Sequence, residues 1–349
     1  MAGDNILFRC DASTEIGSGH VMRCVALAKE WQKSGGRVSF LTAKNIAALD
    51  SRFADEGFRH ERFAVDRGTQ EDAEQTAACA HRVGARWVVV DGYRFTPDYI
   101  RRLKTSGVRV LLFDDHARFD FYEADVVLNQ NIDAKAESYR HAVSTRLLLG
   151  AGYILLRPEF LAERPRMEIG GVARTLLITM GGSDSDNVTA AVVRALPWLE
   201  SEFEATVVIG SGSPHFDSLR KLLERLCGET SPGKIRLVRN PANMAALMRD
   251  ADIAIAAPGG TCWELAFLGV PMILITISPD QEANEVAISE AGAALCLGWH
   301  ANLSEREIGD ATCRVMSNVD QRRALSEHGR GLVDGRGAAR VVSVLQSCL

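Results

Sequence analysis

Short apolar runs recur along the chain. Each is followed by turn residues and then by a stretch of helical period. In the first half they are "NILFRCDA", "RVSFLTA", "RWVVVDGY", "RVLLFDDH", "DVVLNQN" and "RLLLG". In the second half they are "TLLITMGGSD", "ATVVIGSG", "KIRLVRN", "IAIAAPGG", "PMILITI" and "AALCLG". β-branched runs without polar alternation read as strands buried on both faces, the mark of parallel sheets covered by helices. Six runs in each half therefore predict two similar α/β domains. Between them the apolar period lengthens. Val21, Cys24, Val25, Leu27, Ala28 and Trp31 share one helix face, and Gly35-Gly36 stops that helix.

The pattern lapses over Leu161–Arg174, which is charged and carries Pro165 and Gly170-Gly171. This reads as an interdomain linker, giving domains of residues 1–162 and 163–349. The amphipathic stretch "GAARVVSVLQSCL" is a closing helix and a candidate to pack back on the first domain.

Composition narrows the classes. With 349 residues, 46% hydrophobic and 24% charged, the chain can bury two ordinary cores. A net charge of −5 argues against a general nucleic-acid or anionic-membrane binder, though not against a local basic pocket. The eight cysteines form no C-x-x-C pair and read as buried thiols in a reducing compartment. No apolar run approaches the roughly 20 residues of a membrane span, and the N-terminus lacks the pattern of a signal peptide. The expectation is a cytoplasmic protein, monomeric, with a small molecule as partner and no membrane or nucleic acid.

Two glycine turns carry the candidate chemistry of the second half. "LLITMGGSDSDN" runs a buried strand into Gly181, Gly182 and Ser183. Backbone N–H groups at such a turn approach a ligand closely, and the next helix N-terminus favours phosphate. The alternative is a tight strand-to-helix turn and nothing more. "IAIAAPGGTCWELAFLGVP" repeats the device at Gly259, Gly260 and Thr261. Glu264, one turn into that helix, could bond a ribose or merely complement the helix dipole. Asn243 and Met244, in "RLVRNPANMAALM", could frame a flat base. Paired glycine turns favour a nucleotide.

The first half offers "DASTEIGSGHVMRC". Gly17 and Gly19 are expected to turn the chain sharply and present His20 at a helix start. That position disfavours imidazolium, so the ring suits a general base. A cap or phosphate contact is the plainer alternative. Arg9 and Asp11 share a strand face and could orient His20 or a substrate hydroxyl, or simply pair with each other. Tyr93, just past a strand end, could stack on a sugar or be an ordinary loop residue. Asp114, Asp115 and His116 suggest a metal at first sight. No second histidine stands at ligand spacing, so they read as loop-capping groups.

"APGGTCWELAFLGVP" resembles the nucleotide-binding signature of the GT-B glycosyltransferase superfamily, in its branch acting on UDP-N-acetyl sugars. "RCDASTEIGSGHVMRC", "VVVDGYRF", "LLFDD", "VVLNQN" and "LLLGAGYILLRPEF" resemble the UDP-2,4-diacetamido-2,4,6-trideoxy-β-L-altropyranose hydrolases of pseudaminic acid biosynthesis. The resemblance spans nearly the whole chain. It implies a GT-B fold, two Rossmann-like domains with parallel sheets facing a central cleft. It also implies UDP in the second domain, water as acceptor, no cofactor or metal, and a catalytic His20. One departure stands out: where the family places an Asn-Gln pair near the sugar, this chain has Asp280-Gln281, with Asn284 following. The expectation is inverting hydrolysis at C1. A GT-B glycosyltransferase and a non-catalytic nucleotide-sugar binder are the alternatives.

Overall fold

The computed structural model describes residues 4–11, 19–43, 47–182, 184–210, 213–226, 233–241 and 243–348. The chain divides into two compact units, Met1–Pro158 with Gly335–Leu349, and Glu159–Asp334.

The first unit alternates strands and helices. They are β1 (Asn5–Cys10), α1 (Gly19–Lys33), β2 (Arg37–Thr42), α2 (Ala47–Asp55), β3 (Arg59–Arg62), α3 (Gln70–Val83), β4 (Ala85–Asp91), α4 (Pro97–Thr105), β5 (Arg109–Phe113), β6 (Val126–Asn129) and β7 (Arg146–Leu149). A short helix, α5 (Pro158–Leu161), follows. The strands pair in parallel in the order β3-β2-β1-β4-β5-β6-β7. β1 is buried throughout and β4 nearly so, as their unbroken apolar runs require between two helical layers. Local chemistry sets the helix ends: Thr69 Oγ1 accepts the Asp72 N–H at the start of α3, and Gly84 in the left-handed region closes it.

The second unit holds β8 (Thr175–Thr179), α6 (Val188–Ala195), β9 (Phe203–Ile209), α7 (Phe216–Leu226), β10 (Gly233–Arg239), α8 (Met244–Arg249) and β11 (Ile253–Ala256). It continues with α9 (Gly260–Leu268), β12 (Met272–Thr276), α10 (Glu282–Glu290), β13 (Leu295–Trp299), α11 (Glu305–Ser317) and α12 (Val319–Leu332). Its sheet is also parallel, in the order β10-β9-β8-β11-β12-β13. Both sheets reverse their winding once, at β1/β4 and at β8/β11. The crevice beyond the carboxyl ends of the strands at such a reversal is where open α/β sheets bind ligands.

Two expectations need correction. The first sheet has a seventh strand that the apolar pattern missed. β3 reads "RHER" and is an edge strand with one partner, so it needs no apolar face. Secondly, the stretch read as a linker is fastened within the second unit. Arg166 N–H donates to Leu268 O at 2.7 Å, and its guanidinium reaches Asp252 Oδ1 at 2.6 Å and Ala251 O at 2.8 Å. Arg323 of α12 bonds Ile169 O at 3.0 Å. The chain then returns to the first unit through α13 (Gly337–Ser347), whose Val341, Val342 and Leu345 join that unit's core. Gly337 is needed there, because a Cβ would lie 2.1 Å from Ile154 O.

Asp252 anchors the strap with its other oxygen, which accepts the N–H groups of Arg174 and Thr175 at 2.8 and 2.9 Å. Burial would raise its carboxyl, but these N–H groups and Arg166 outweigh burial and hold it below the ordinary value. The stabilisation is therefore complete above the unfolded carboxylate value of about 3.9 and lost as pH falls from there through the folded value. Asp252→Asn should be less stable than wild type at pH 7, and the gap should narrow below about pH 4. Urea midpoints at the two pH values measure this.

Among the described residues every cysteine is a free thiol, and no helix is long and apolar enough to cross a membrane.

Candidate active site

β1 and β4 are neighbours in register, Cys10 opposite Asp91, at the winding reversal of the first sheet. The chain leaving β1 re-enters at Gly19 as α1. His20 lies in its first turn, and Arg23 stands one turn on, along the same face. His20 Nδ1 is 2.7 Å from Asp91 Oδ1. Arg23 grips the same carboxylate, Nε to Oδ2 and Nη2 to Oδ1 at 2.7 Å each, and reaches both oxygens of Asp115 at 2.9 Å. Asp91 is 1% exposed and His20 8% exposed.

Burial would raise the Asp91 carboxyl, but Arg23 and His20 outweigh it and hold it well below the usual carboxylate range. Arg23 is buried too, and despite that desolvation Asp115 and Asp91 keep its guanidinium firmly charged. Nδ1 meets Asp91 Oδ1 at 2.7 Å and Arg23 Nη2 at 3.2 Å. The shorter contact, to a carboxylate held ionised, favours the tautomer with hydrogen on Nδ1, which leaves the lone pair on Nε2. The pair is therefore set to accept a proton at Nε2.

His20 and Asp91 open onto a cavity of about 180 Å³, lined also by Asp11, Arg67, Tyr93 and Arg94. The Tyr93 ring stands edge-on to the His20 ring, centroids 4.9 Å apart at 84°. Arg118 steadies it, bonding Tyr93 O at 2.7 Å with its guanidinium 5.4 Å from the ring centroid. Asp11 forms part of the cavity wall, held by Arg9 Nη1 at 2.6 Å and the Ala43 N–H at 2.7 Å. Arg9 is fully buried, with Nε and Nη2 on Asp72 at 2.9 and 2.8 Å. It has no surface for a substrate and acts behind the wall, through Asp11.

Gly17 lies outside the described residues. Gly19 is not in the left-handed region, and a Cβ there would meet no described atom within 4 Å, so the helix start does not itself require glycine. Asp114 caps the loop after β5, accepting the N–H groups of His116 and Arg118 at 3.1 and 3.2 Å. Among the described residues no cluster has the makings of a metal site. Sequence reasoning missed Asp91 and Arg23, and read Asp115 as a loop-capping group where the structure pairs it with Arg23. An acid ending a buried strand must find a cation, and His20-x-x-Arg23 places two donors on one helix face; together these two cues would have found the cluster.

The two glycine turns of the second unit differ. Gly181 adopts φ +80°, as a tight turn after β8 needs. Ser183 lies outside the described residues. The helix that follows Gly182 is already capped: Asp184 takes the N–H groups of Val188 and Thr189 at 2.7 and 2.9 Å. The phosphate expected on the α6 N-terminus would have to displace a carboxylate. By contrast α9 follows Gly259 with no side-chain cap, which among the described residues leaves the N–H groups of Gly260 and Thr261 open. Asn284 Nδ2 donates to Pro258 O at 2.7 Å and Cys262 Sγ to Gly259 O at 2.8 Å, which fixes the turn.

Gln281 lies beside this turn, its Nε2 3.7 Å from where a Gly259 Cβ would be. Asp280 is exposed and accepts from the Ser278 hydroxyl. Glu264 is half-buried and lies just past the first turn of α9. Asn243 caps α8, its Oδ1 accepting the Ala246 N–H at 3.0 Å, and Met244 is the first residue of that helix, which packs on α9. The structure thus gathers Gly259, Gly260, Thr261 and Gln281 at one open helix start, at the β8/β11 reversal.

Residues 175–328 match the family model "Glycosyltransferase family 28 C-terminal domain". Over 344 residues, 96% of each chain, the sequence is 27% identical to the spore coat polysaccharide biosynthesis protein SpsG of Bacillus subtilis. Over 290 residues, 82% of this chain and 97% of the relative, it is 26% identical to the UDP-2,4-diacetamido-2,4,6-trideoxy-β-L-altropyranose hydrolase of Campylobacter jejuni. The crystal structure of Acinetobacter baumannii MurG superposes with a TM-score of 0.70 at 18% identity, covering 99% of both chains. Two Rossmann-like units, each a parallel sheet between helices, and this likeness give the chain the GT-B fold.

Proposed function

We propose that the protein acts on a nucleotide-sugar, and that it hydrolyses a UDP-linked 2,4-diacetamido-2,4,6-trideoxy sugar at C1. The observation that carries the reading is the His20–Asp91 pair, a histidine with a favoured tautomer facing a cavity. Support comes from the Campylobacter jejuni hydrolase, similar along most of its length. Nε2 takes a proton from water as the water oxygen bonds C1. The bond from C1 to the diphosphate oxygen breaks, UDP leaves with the electron pair, and the anomeric centre inverts. Asp91 stabilises the imidazolium so formed. Tyr93 packs against the sugar, and Asp11 accepts from a sugar hydroxyl. Gly19 begins the helix that presents His20.

The nucleotide belongs to the second unit. The open N-terminus of α9 at Gly259, Gly260 and Thr261 takes the diphosphate, with Glu264 on the ribose and Asn243 and Met244 at the base. Gly181 and Gly182 border the phosphates through backbone contact, and Asp280 and Gln281 face the sugar. Asp184→Ala tests this division. Loss of the α6 cap should cost about 1 kcal/mol of stability, read as a lower melting temperature. UDP affinity should stay unchanged. A gain in affinity would move the diphosphate to α6.

The family 28 domain match favours a second reading, transfer of the sugar to an acceptor from the same donor site. UDP release from a panel of UDP-diacetamido sugars, without acceptor, separates the two. Hydrolysis in ¹⁸O-labelled water should place the label on the sugar. Label on UDP would mean attack at phosphorus.

A further inference from the structure

We propose that Arg23 and Asp115 are positioning residues that set, with opposite signs, the pH at which His20 takes up a proton. Where His20 is the base that activates water, they also set the pH below which the site stops working. That second step rests on the proposed function.

A histidine–carboxylate pair alone holds one anion against the ring. Here two further charges join it. Asp91 Oδ1, which holds His20 Nδ1 at 2.7 Å, also accepts from Arg23 Nη2 at 2.7 Å, and Nη2 stands 3.2 Å from Nδ1 itself. A guanidinium so placed competes with the ring for the carboxylate and repels imidazolium directly. Asp91 draws a proton onto His20, and Arg23 opposes it. Asp115 then offsets Arg23, taking Nη1 on both oxygens at 2.9 Å.

The fold builds this placement from three elements. Arg23 stands on α1, Asp91 ends β4, and the guanidinium lies over the ring of Phe113, the last residue of β5, 4.6 Å from its centroid. Only 12% of the Arg23 side chain and 9% of that of Asp115 is exposed, so solvent screens these charges weakly. Desolvation works against the guanidinium, yet Asp115 and Asp91 keep it charged, so it stays a cation throughout the range in which a histidine titrates. Around a neutral imidazole the charges of Asp91, Arg23 and Asp115 sum to −1; without that of Arg23 they sum to −2, and without that of Asp115 to zero. The first change favours imidazolium and the second disfavours it.

Other titratable or charged groups face the site. Asp11, Arg67, Tyr93 and Arg94 line the cavity with His20, His116 lies beyond the Tyr93 ring, and Cys24 Sγ is 3.5 Å from Asp91 Oδ2. All of these stay in place when position 23 or 115 alone is changed, so the comparison isolates the two charges.

NMR titration of the His20 imidazole in the full-length protein, without substrate, tests this; the signals are those lost in His20→Ala. Arg23→Gln should raise the midpoint by about 1–3 pH units, the usual effect of one neighbouring charge. Asp115→Asn should lower it. Arg23→Lys keeps the cation and should stay closer to wild type than Arg23→Gln does. The acid limb of the rate profile for UDP release should move with the midpoints, each unit costing about tenfold in rate on the acid side. Loss of packing alone would lower rates at every pH and leave the midpoints where they are. Unmoved midpoints, or midpoints moved the same way by Arg23→Gln and Asp115→Asn, would overturn the proposal. If one of these variants does not fold, the sign given by the other decides. Because the NMR titration needs no turnover, midpoints that move while the rate limb stays would support the proposal and count against His20 as the base.

Discussion

His20→Ala should lose about 10²–10⁴-fold in turnover, the usual worth of a general base. That is about 3–5 kcal/mol of barrier. The loss should fall on kcat, with UDP affinity kept, because the nucleotide is assigned to the other unit. UDP release under saturating substrate measures the first quantity and calorimetry the second. The fold should survive the change, because Asp91 keeps two bonds from Arg23 when the imidazole is gone. Turnover near wild type would remove His20 from the chemistry and leave the bare helix start.

Asp91→Asn should be at least as damaging, for a different reason. The amide is neutral, and its NH₂ can donate to Nδ1 and so favour the tautomer with hydrogen on Nε2. That hydrogen would occupy the position that must accept from water. A comparable tautomer error in serine proteases costs about 10⁴-fold in kcat, and about 10³–10⁴-fold is expected here. The substitution also weakens the pairing of buried Arg23, and breaking a buried pair costs up to about 3–5 kcal/mol. The Asp115 contacts, two at 2.9 Å, should keep the cost at or below that range. The sign with pH follows from the depressed Asp91 carboxyl. Its stabilisation is complete above the unfolded value of about 3.9 and is lost as pH falls from there toward the folded value. The stability deficit of Asp91→Asn should therefore shrink in acid, whereas its catalytic deficit at neutral pH should not. Chemical denaturation at two pH values and steady-state rates separate the two effects.

Much of the fold was legible because buried parallel strands leave a one-dimensional record. Every apolar run singled out in the chain falls on a strand of the two sheets. What escaped was a strand whose chemistry carries no such record: β3 is an edge, half solvated, and its "RHER" has no apolar side chain. The segment around Pro165 misled for a related reason. Composition signals a break in regular structure, and it cannot show that Arg322 and Arg323, some 150 positions later, will hold the irregular chain by its carbonyls.

The candidate site was half legible. His20 could be singled out because a histidine opening a helix after a glycine turn is unusual chemistry in a short span. Its partners were not, because they come from other elements. Asp91 is 71 positions away and Asp115 reaches Arg23 over 92. Local pattern also treated both glycine turns alike. Only the structure shows that Asp184 closes one helix start and that Gly259 leaves the other open.

The return of α13 has a consequence for how the protein is made. Trp87 Nε1 donates to Leu345 O at 3.2 Å, across 258 positions of chain. A ribosome delivers β1 through β7 early, yet the face they offer to Val341, Val342 and Leu345 stays uncovered until all of the second unit has been synthesised. The unit begun first is thus completed last. Domains usually mature in the order of their synthesis; here the second unit can be native on a nascent chain while the histidine-bearing one still waits for its final helix. Ribosome-stalled chains ending before Gly337 should expose that apolar face and recruit holdase chaperones, and chains extended past Ser347 should release them.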